Sequence, residues 1–431
     1  MRTPLLFRVY VAATALLTPF VAWFEVRRLR RAGFPAMRAH EKLGNASAPR
    51  TGSGPLIWFH TASVGESPSV LSLIHSMGRM LPRAQFLITS GTPASARVVS
   101  ERMPPRSVHQ FSPVDASGPV RRFLAHWRPS AAIFAESELQ PLMLCRTRAR
   151  GTAMALVNAG LSSNSAKFWS GRPETAAFIL DVFDLILTRD DEMAGKMVDM
   201  NAPVERVARG IDFRFLSDPL PSDPAVTARI RAALRGRPVW VAASTHRGEE
   251  EIILAAHQAL LKQHPDLMLI LVPHDHKRSD DIAAQITSAG IAFATHSRNE
   301  KPGDGHSAYL ADTPGETGSW YALTEIVFLG GSLVPEGGTN PFEVAQAGAA
   351  VLSGRHVTEF EEVFADMTTR GAAVFTTDAE DLAGEVHEML SNTPYRAQAV
   401  SAAEDFVRGR QDQLDQIARR LIRALDLEQT H

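Results

Sequence analysis

Short apolar runs that alternate with amphipathic stretches constrain this chain more than any other feature. Strands joined by helical crossovers pair in parallel and in a right-handed sense. Leu56–His60, Phe86–Thr89, Val108–Phe111, Ala131–Ala135, Ala153–Val157 and Leu185–Thr188 each read as a strand followed by a helix-like segment. Ser67 to Leu81 is one such helix, with Pro68 in its first turn. Residues 212–224 then break the pattern, because Asp218, Pro219, Pro221, Asp223 and Pro224 crowd into a linker composition. The alternation restarts with Val239–Ala243, Leu267–Val272, Ile291–Ala294, Ala308–Leu310, Ile326–Leu329, Ala350–Leu352 and Ala373–Phe375. Helical stretches Glu380–Leu390 and Tyr395–Leu427 close the chain. The pattern predicts an α/β protein of two doubly wound domains facing one another across a cleft, residues 32–211 and 225–431. A length of 431 residues agrees, being more than one hydrophobic core usually supports.

Residues 1–31 differ from the rest. Val9 to Phe24 is apolar except for Thr14, Thr18 and Pro19, and Arg27, Arg28, Arg30 and Arg31 follow it. The run is slightly short of the roughly 20 residues of a spanning helix, and Tyr10 and Trp23 sit where interfacial aromatics belong. Charge after the apolar run, not before it, argues for a retained anchor over a cleaved signal peptide, with the arginines on the cytoplasmic side. Attachment along the membrane surface is the alternative to spanning. The net charge of −2 gives no general pull toward nucleic acid. The single cysteine, Cys145, excludes an internal disulfide and reads as part of a packed helix face.

In doubly wound sheets ligands bind beyond the C-terminal ends of the strands. The first loop there is Thr61–Ala62–Ser63–Val64–Gly65–Glu66. Its carboxylate suits a general base near a positive helix end, while Ser63 and Glu66 also have the spacing of a capping box. Ser244–Thr245–His246–Arg247–Gly248–Glu249 opens a helix and reads equally as an anion site or as ordinary N-capping. Gly330–Gly331–Ser332–Leu333 follows a strand, where glycine permits either close backbone approach to a ligand or a plain turn. In Gly337–Gly338–Thr339–Asn340–Pro341–Phe342–Glu343, Asn340 is an N-cap candidate, Pro341 the first helical residue, and Glu343 either a capping-box partner or a ribose ligand. The run His274–Asp275–His276 raises a metal site. Adjacent side chains diverge, however, and no Asp-x-Asp pair or Gly-x-x-x-x-Gly-Lys loop is present, so neither a metal nor NTP hydrolysis is expected.

At these loops the sequence resembles the 3-deoxy-manno-octulosonic acid (Kdo) transferase family. The matches are Trp58–Phe59–His60–Thr61–Ala62–Ser63–Val64–Gly65–Glu66, Glu136–Ser137–Glu138–Leu139 with Pro141, and Ala243–Ser244–Thr245–His246 with Gly248–Glu249–Glu250–Glu251. They continue through Asp312–Thr313 with Gly315–Glu316, Gly330 to Pro335, Gly337–Gly338, and Asn340–Pro341 with Glu343. The resemblance implies a glycosyltransferase type B fold of two Rossmann-like domains, an inverting glycosyltransferase that moves Kdo from CMP-Kdo to a lipid A precursor without a metal or other cofactor. It implies Glu66 as general base and Glu136 as transition-state stabiliser. CMP contacts would fall at Pro273 and His274, at Gly315, Glu316 and Thr317, and at Asn340, Pro341, Phe342 and Glu343. Ser63, Gly65, Glu138, Ser244, Thr245, His246, Gly331 and Ser332 would contact the sugar substrates. The expected setting is the cytoplasmic face of a bacterial inner membrane.

The chain departs from the family pattern at four places. Pro273–His274–Asp275 stands where the family usually has Pro-Arg-His, and Asp212 beside Phe213 where it has Lys. Gln140–Pro141–Leu142 replaces Trp-Pro-Asn, and Asn158–Ala159–Gly160–Leu161–Ser162 lacks the family's Arg. Arg214, Arg247, Lys277 and Arg278 are candidates to compensate for the lost cations. The departures leave room for a relative with another activated sugar or acceptor, or for a membrane-tethered protein that binds a nucleotide sugar or lipid without chemistry.

Overall fold

The computed structural model describes residues 3–50, 52–61, 67–135, 139–160, 163–211 and 219–428. Two units separate: Met1–Leu216 with Asp412–His431, and Ser217–Gln411. The sequence places 225–431 in the second domain, but residues 412–431 group with the first. The reason is the helix Thr393–Ala424, whose C-terminal part carries Leu414, Ile417, Ala418, Leu421 and Ile422 into the core of the first unit beside Ile74, Met77 and Ile133.

The first unit holds a seven-stranded parallel sheet. Its strands are β1 (Leu56–Thr61), β2 (Gln85–Ser90), β3 (Ser107–Phe111), β4 (Ala131–Ala135), β5 (Ala153–Ala159), β6 (Leu185–Thr188) and β7 (Val207–Arg209). Their order is β3-β2-β1-β4-β5-β6-β7, so the direction of winding reverses between β1 and β4. Both faces are covered, which is why the central strands read as unbroken apolar runs. Ile57 and Phe59 pack on the helix Ser67–Met80 side, and Leu56 and Trp58 pack toward Phe123, Leu142 and Ile179. The Trp58 indole donates to Thr89 Oγ1 at 2.8 Å and its ring lies 4.8 Å from that of Phe123. β7 escapes the sequence reading because its three residues form an edge that is never fully buried.

The second unit repeats the plan with β8 (Val239–Thr245), β9 (Met268–Pro273), β10 (Phe293–Thr295), β11 (Ala308–Leu310), β12 (Ile326–Leu329), β13 (Ala350–Ser353) and β14 (Ala373–Phe375). The order β10-β11-β9-β8-β12-β13-β14, again parallel, places its reversal between β8 and β12.

The N-terminal helix Leu5–Arg31 is long and apolar enough to cross a membrane. It nevertheless packs on the first unit near both ends. The Tyr10 hydroxyl donates to Asp115 at 2.6 Å, the rings of Phe7 and Phe178 are 5.2 Å apart, and Leu29 is buried with Ala39 and Phe111. Fully or partly buried positions recur at Phe7, Val11, Thr14, Thr18, Ala22, Glu25 and Leu29, a helical spacing. On the other side Leu5, Val9, Leu16, Phe20, Trp23 and Phe24 are each more than half exposed.

Candidate active site

In the first unit the functional edge lies where β1 and β4 end. Thr61 and Ala135 are register partners on these adjacent strands. The segments that carry Ser63, Gly65 and Glu66, and Glu136 and Glu138, leave the sheet from these two neighbouring points; the five residues themselves lie outside the described residues, as do Asp212, Phe213 and Arg214. His60 is fully buried against Thr89, and burial, aided by the Lys42 charge, pushes its imidazole down to about 3. Asp115 accepts the backbone N–H groups of Leu142 and Met143, at 3.1 and 2.7 Å. It thereby caps the helix Pro141–Arg148 while holding Tyr10. Burial and the nearby Asp115 push the Cys145 thiol up to about 12, so it is no nucleophile at neutral pH.

In the second unit the sequence expectations of an anion site at Ser244–Glu249 and of close ligand approach at Gly330–Leu333 meet a carboxylate from the chain itself. Glu249, fully buried, accepts the backbone N–H groups of His246 (2.9 Å), Gly331 (2.6 Å), Ser332 (2.9 Å) and Leu333 (2.8 Å). Four donors that would otherwise face a ligand anion are thus spent on tying the β8 and β12 loops together. The helix begins at Glu249 with Gly248 as its cap, at φ 95°, so Ser244 and Thr245 are not its N-caps. Ser244 sits at φ 56°, a left-handed conformation uncommon for a residue with a side chain. Gly330 has a steric reason to be glycine, since a Cβ there would lie 2.6 Å from Ser244 O.

Next to Glu249, the buried Glu250 receives Arg278 as a two-pronged pair at 2.9 and 3.1 Å, together with the Thr245 hydroxyl at 3.1 Å. That hydrogen-bonded pair holds Arg278 above its ordinary pKa. Arg278 is therefore committed to neutralising Glu250 and does not replace the missing cation. Arg247 points to solvent near Asp281, 3.8 Å away. His274 stacks on His246 with ring centroids 4.6 Å apart, and burial and the His246 charge lower its pKa.

The expected nucleotide contacts follow strand ends on the same edge of this sheet. Asp312 accepts the Ser297 N–H and hydroxyl at 2.9 and 2.7 Å and the Ser279 hydroxyl. Burial works against its charge, but these bonds win and hold its carboxyl below the usual range. Glu316 pairs with His296 Nε2 at 3.1 Å and receives the Thr313 hydroxyl. Gly315 turns at φ 83°, and Thr317 starts a short helix, Thr317–Tyr321. Asn340 Oδ1 accepts the Phe342 N–H at 3.0 Å, and the helix is Phe342–Gln346 with Pro341 as its cap, one residue later than the sequence indicates. Phe342 turns its ring into the core against Phe406, 5.3 Å away, so only its backbone faces the loop. Glu343 is half-buried, close enough to raise the pKa of the buried Tyr321 hydroxyl, after burial itself.

Sequence reasoning missed the roles of Glu249, Glu250 and Asp115. The available signal was three successive glutamates opening a helix, of which periodicity turns two inward.

Comparisons with known proteins agree with this layout. A family described as 3-deoxy-D-manno-octulosonic-acid transferase (kdotransferase) matches residues 37–217. A probable mitochondrial 3-deoxy-D-manno-octulosonic acid transferase of Arabidopsis thaliana is 32% identical over 83% of this chain and 81% of its own. The corresponding transferase of Bordetella pertussis is 31% identical over 92% of this chain and 94% of its own. The chain belongs to the Kdo transferase family. It is accordingly a glycosyltransferase. Solved UDP-N-acetylglucosamine 2-epimerases share the fold. That of Neisseria meningitidis, bound to UDP-GlcNAc, has a TM-score of 0.55 at 11% identity, covering 85% of this chain and 100% of its own.

Proposed function

We propose that this Kdo transferase moves Kdo from CMP-Kdo to a hydroxyl of a lipid A precursor, with inversion and without a metal. Glu66 takes the proton of the attacking hydroxyl as its oxygen bonds to the anomeric carbon and CMP departs with the bonding electron pair. Glu136 stabilises the positive charge developing on the sugar. The observation that carries the reading is the pairing of Thr61 with Ala135, from which the two glutamate segments leave neighbouring strands where the sheet reverses direction. His274, Glu316, Asn340 and Glu343, each following a strand end of the second unit, would hold the nucleotide.

The N-terminal helix would attach the enzyme to the cytoplasmic face of a bacterial inner membrane, its arginine flank held there by the negative surface. Its contacts at Phe7, Tyr10 and Leu29 support a helix lying in the membrane plane with Leu16, Phe20 and Phe24 facing lipid.

The test supplies CMP-Kdo and a tetra-acylated lipid A precursor to membranes carrying wild type or Glu66→Gln, with and without a chelator. Transfer by wild type that survives chelation and disappears in the variant is expected. Full-rate transfer by Glu66→Gln overturns the assignment.

A further inference from the structure

The N-terminal helix and the first unit enclose an apolar groove of about 280 Å³. Its walls include Leu6, Val9 and Tyr10 from that helix, Leu139 from the stretch after β4, and Phe168 and Trp169 from the helix Ser163–Ser170 after β5. The Tyr10 hydroxyl is turned away to Asp115, which leaves its ring on the groove. We infer that this groove holds one acyl chain of the phosphorylated acyl-sugar acceptor. The inference rests on the transfer reading above and extends it by placing the lipid.

Three observations converge on that occupant. The groove opens among residues of the exposed apolar stripe, since Leu6 and Val9 are themselves 38% and 54% exposed. A surface of that kind meets hydrocarbon, and the groove continues it inward. The groove also lies off the C-terminal ends of β4 and β5, and Leu139 is three residues beyond Glu136, so a chain seated there brings its head group to the reacting edge. Finally, the Arg172 guanidinium lies 4.0 Å above the Phe168 ring and Lys167 beside it is exposed. Cations at an apolar mouth complement a lipid whose head group carries phosphate.

The experiment uses the full chain in vesicles. Leu6→Glu and Phe168→Glu each put a carboxylate on the groove wall at a partly exposed position. Each should raise KM for the tetra-acylated acceptor about tenfold and leave KM for CMP-Kdo unchanged. Val204→Glu, an exposed apolar site away from the groove, should change neither. A second arm needs no catalysis: an acceptor with brominated acyl chains should quench the part of the fluorescence that Trp169→Phe removes. Absence of transfer in wild type with quenching intact would refute the transfer reading and spare the groove. Unchanged acceptor KM in both variants, or equal quenching by brominated phospholipid, would overturn the groove assignment.

Discussion

Two corners of the molecule are built alike and used differently. After β1 a loop leads to Glu66 and the helix Ser67–Met80; after β8 a loop leads to Glu249 and the helix Glu249–Leu261. Each glutamate follows the strand at which its sheet reverses direction. In the second corner a structural use prevails to the full: Glu249 is buried and satisfied by four backbone donors from two loops. In the first corner the function proposed above gives Glu66 to chemistry. On that proposal one carboxylate holds backbone in place and the other takes a proton, so a strand-end acid announces importance without announcing its kind.

The sharpest way to break this contrast is to remove each charge. We predict that Glu66→Gln lowers kcat by about 10³-fold, within the range of a lost general base, with the melting curve unchanged. A variant that melts early instead would make Glu66 another strut. Glu249→Ala should do the opposite, stranding buried N–H groups and costing about 3–5 kcal/mol of stability in urea titration. If it unfolds like wild type yet fails to transfer Kdo, the two corners are not different in kind.

Acid should separate the two units next. Burial holds His60 and His109 at about 3 and His257 at about 4, against an ordinary 6.5. All three are neutral when folded, whereas the unfolded chain takes up their protons as pH falls past about 6.5. Their contribution is intact above that point and declines on acidification toward the folded values. The first unit carries two of them, and His109 also faces Arg38 at 2.6 Å, so urea midpoints should fall further for its transition, and His109→Gln should flatten the decline. The smallest effect concerns His274, whose lowered pKa leaves it uncharged at neutral pH. His274→Arg should lower KM for CMP-Kdo about threefold at pH 7.5 by restoring a permanent cation. An unchanged or raised KM would show that the His246–His274 stack already does that work.

The sheets were legible in the sequence because a strand buried on both faces has no choice but to be apolar; Ala131–Ala135 and Ile326–Leu329 emerge with their ends in place. The edge strand β7, half-exposed and three residues long, carries no such imprint. At the site, the position of each loop could be read while the commitments of its side chains could not. The Glu250–Arg278 pair spans 28 residues, and nothing local marks that arginine as spent. The N-terminal helix hid its docking for a different reason: with apolar residues on both faces, hydropathy cannot tell the face against protein from the face against lipid.

The return of the last helix to the first sheet has a practical outcome for anyone dissecting the enzyme. A fragment ending near residue 216 would lack Leu414, Leu421 and Leu425 and bare the greasy side of its own sheet, inviting aggregation. Joining residues 1–216 to 412–428 through a short spacer should instead yield a half whose sheet is covered, because the strip that seals it is encoded at the far end of the gene.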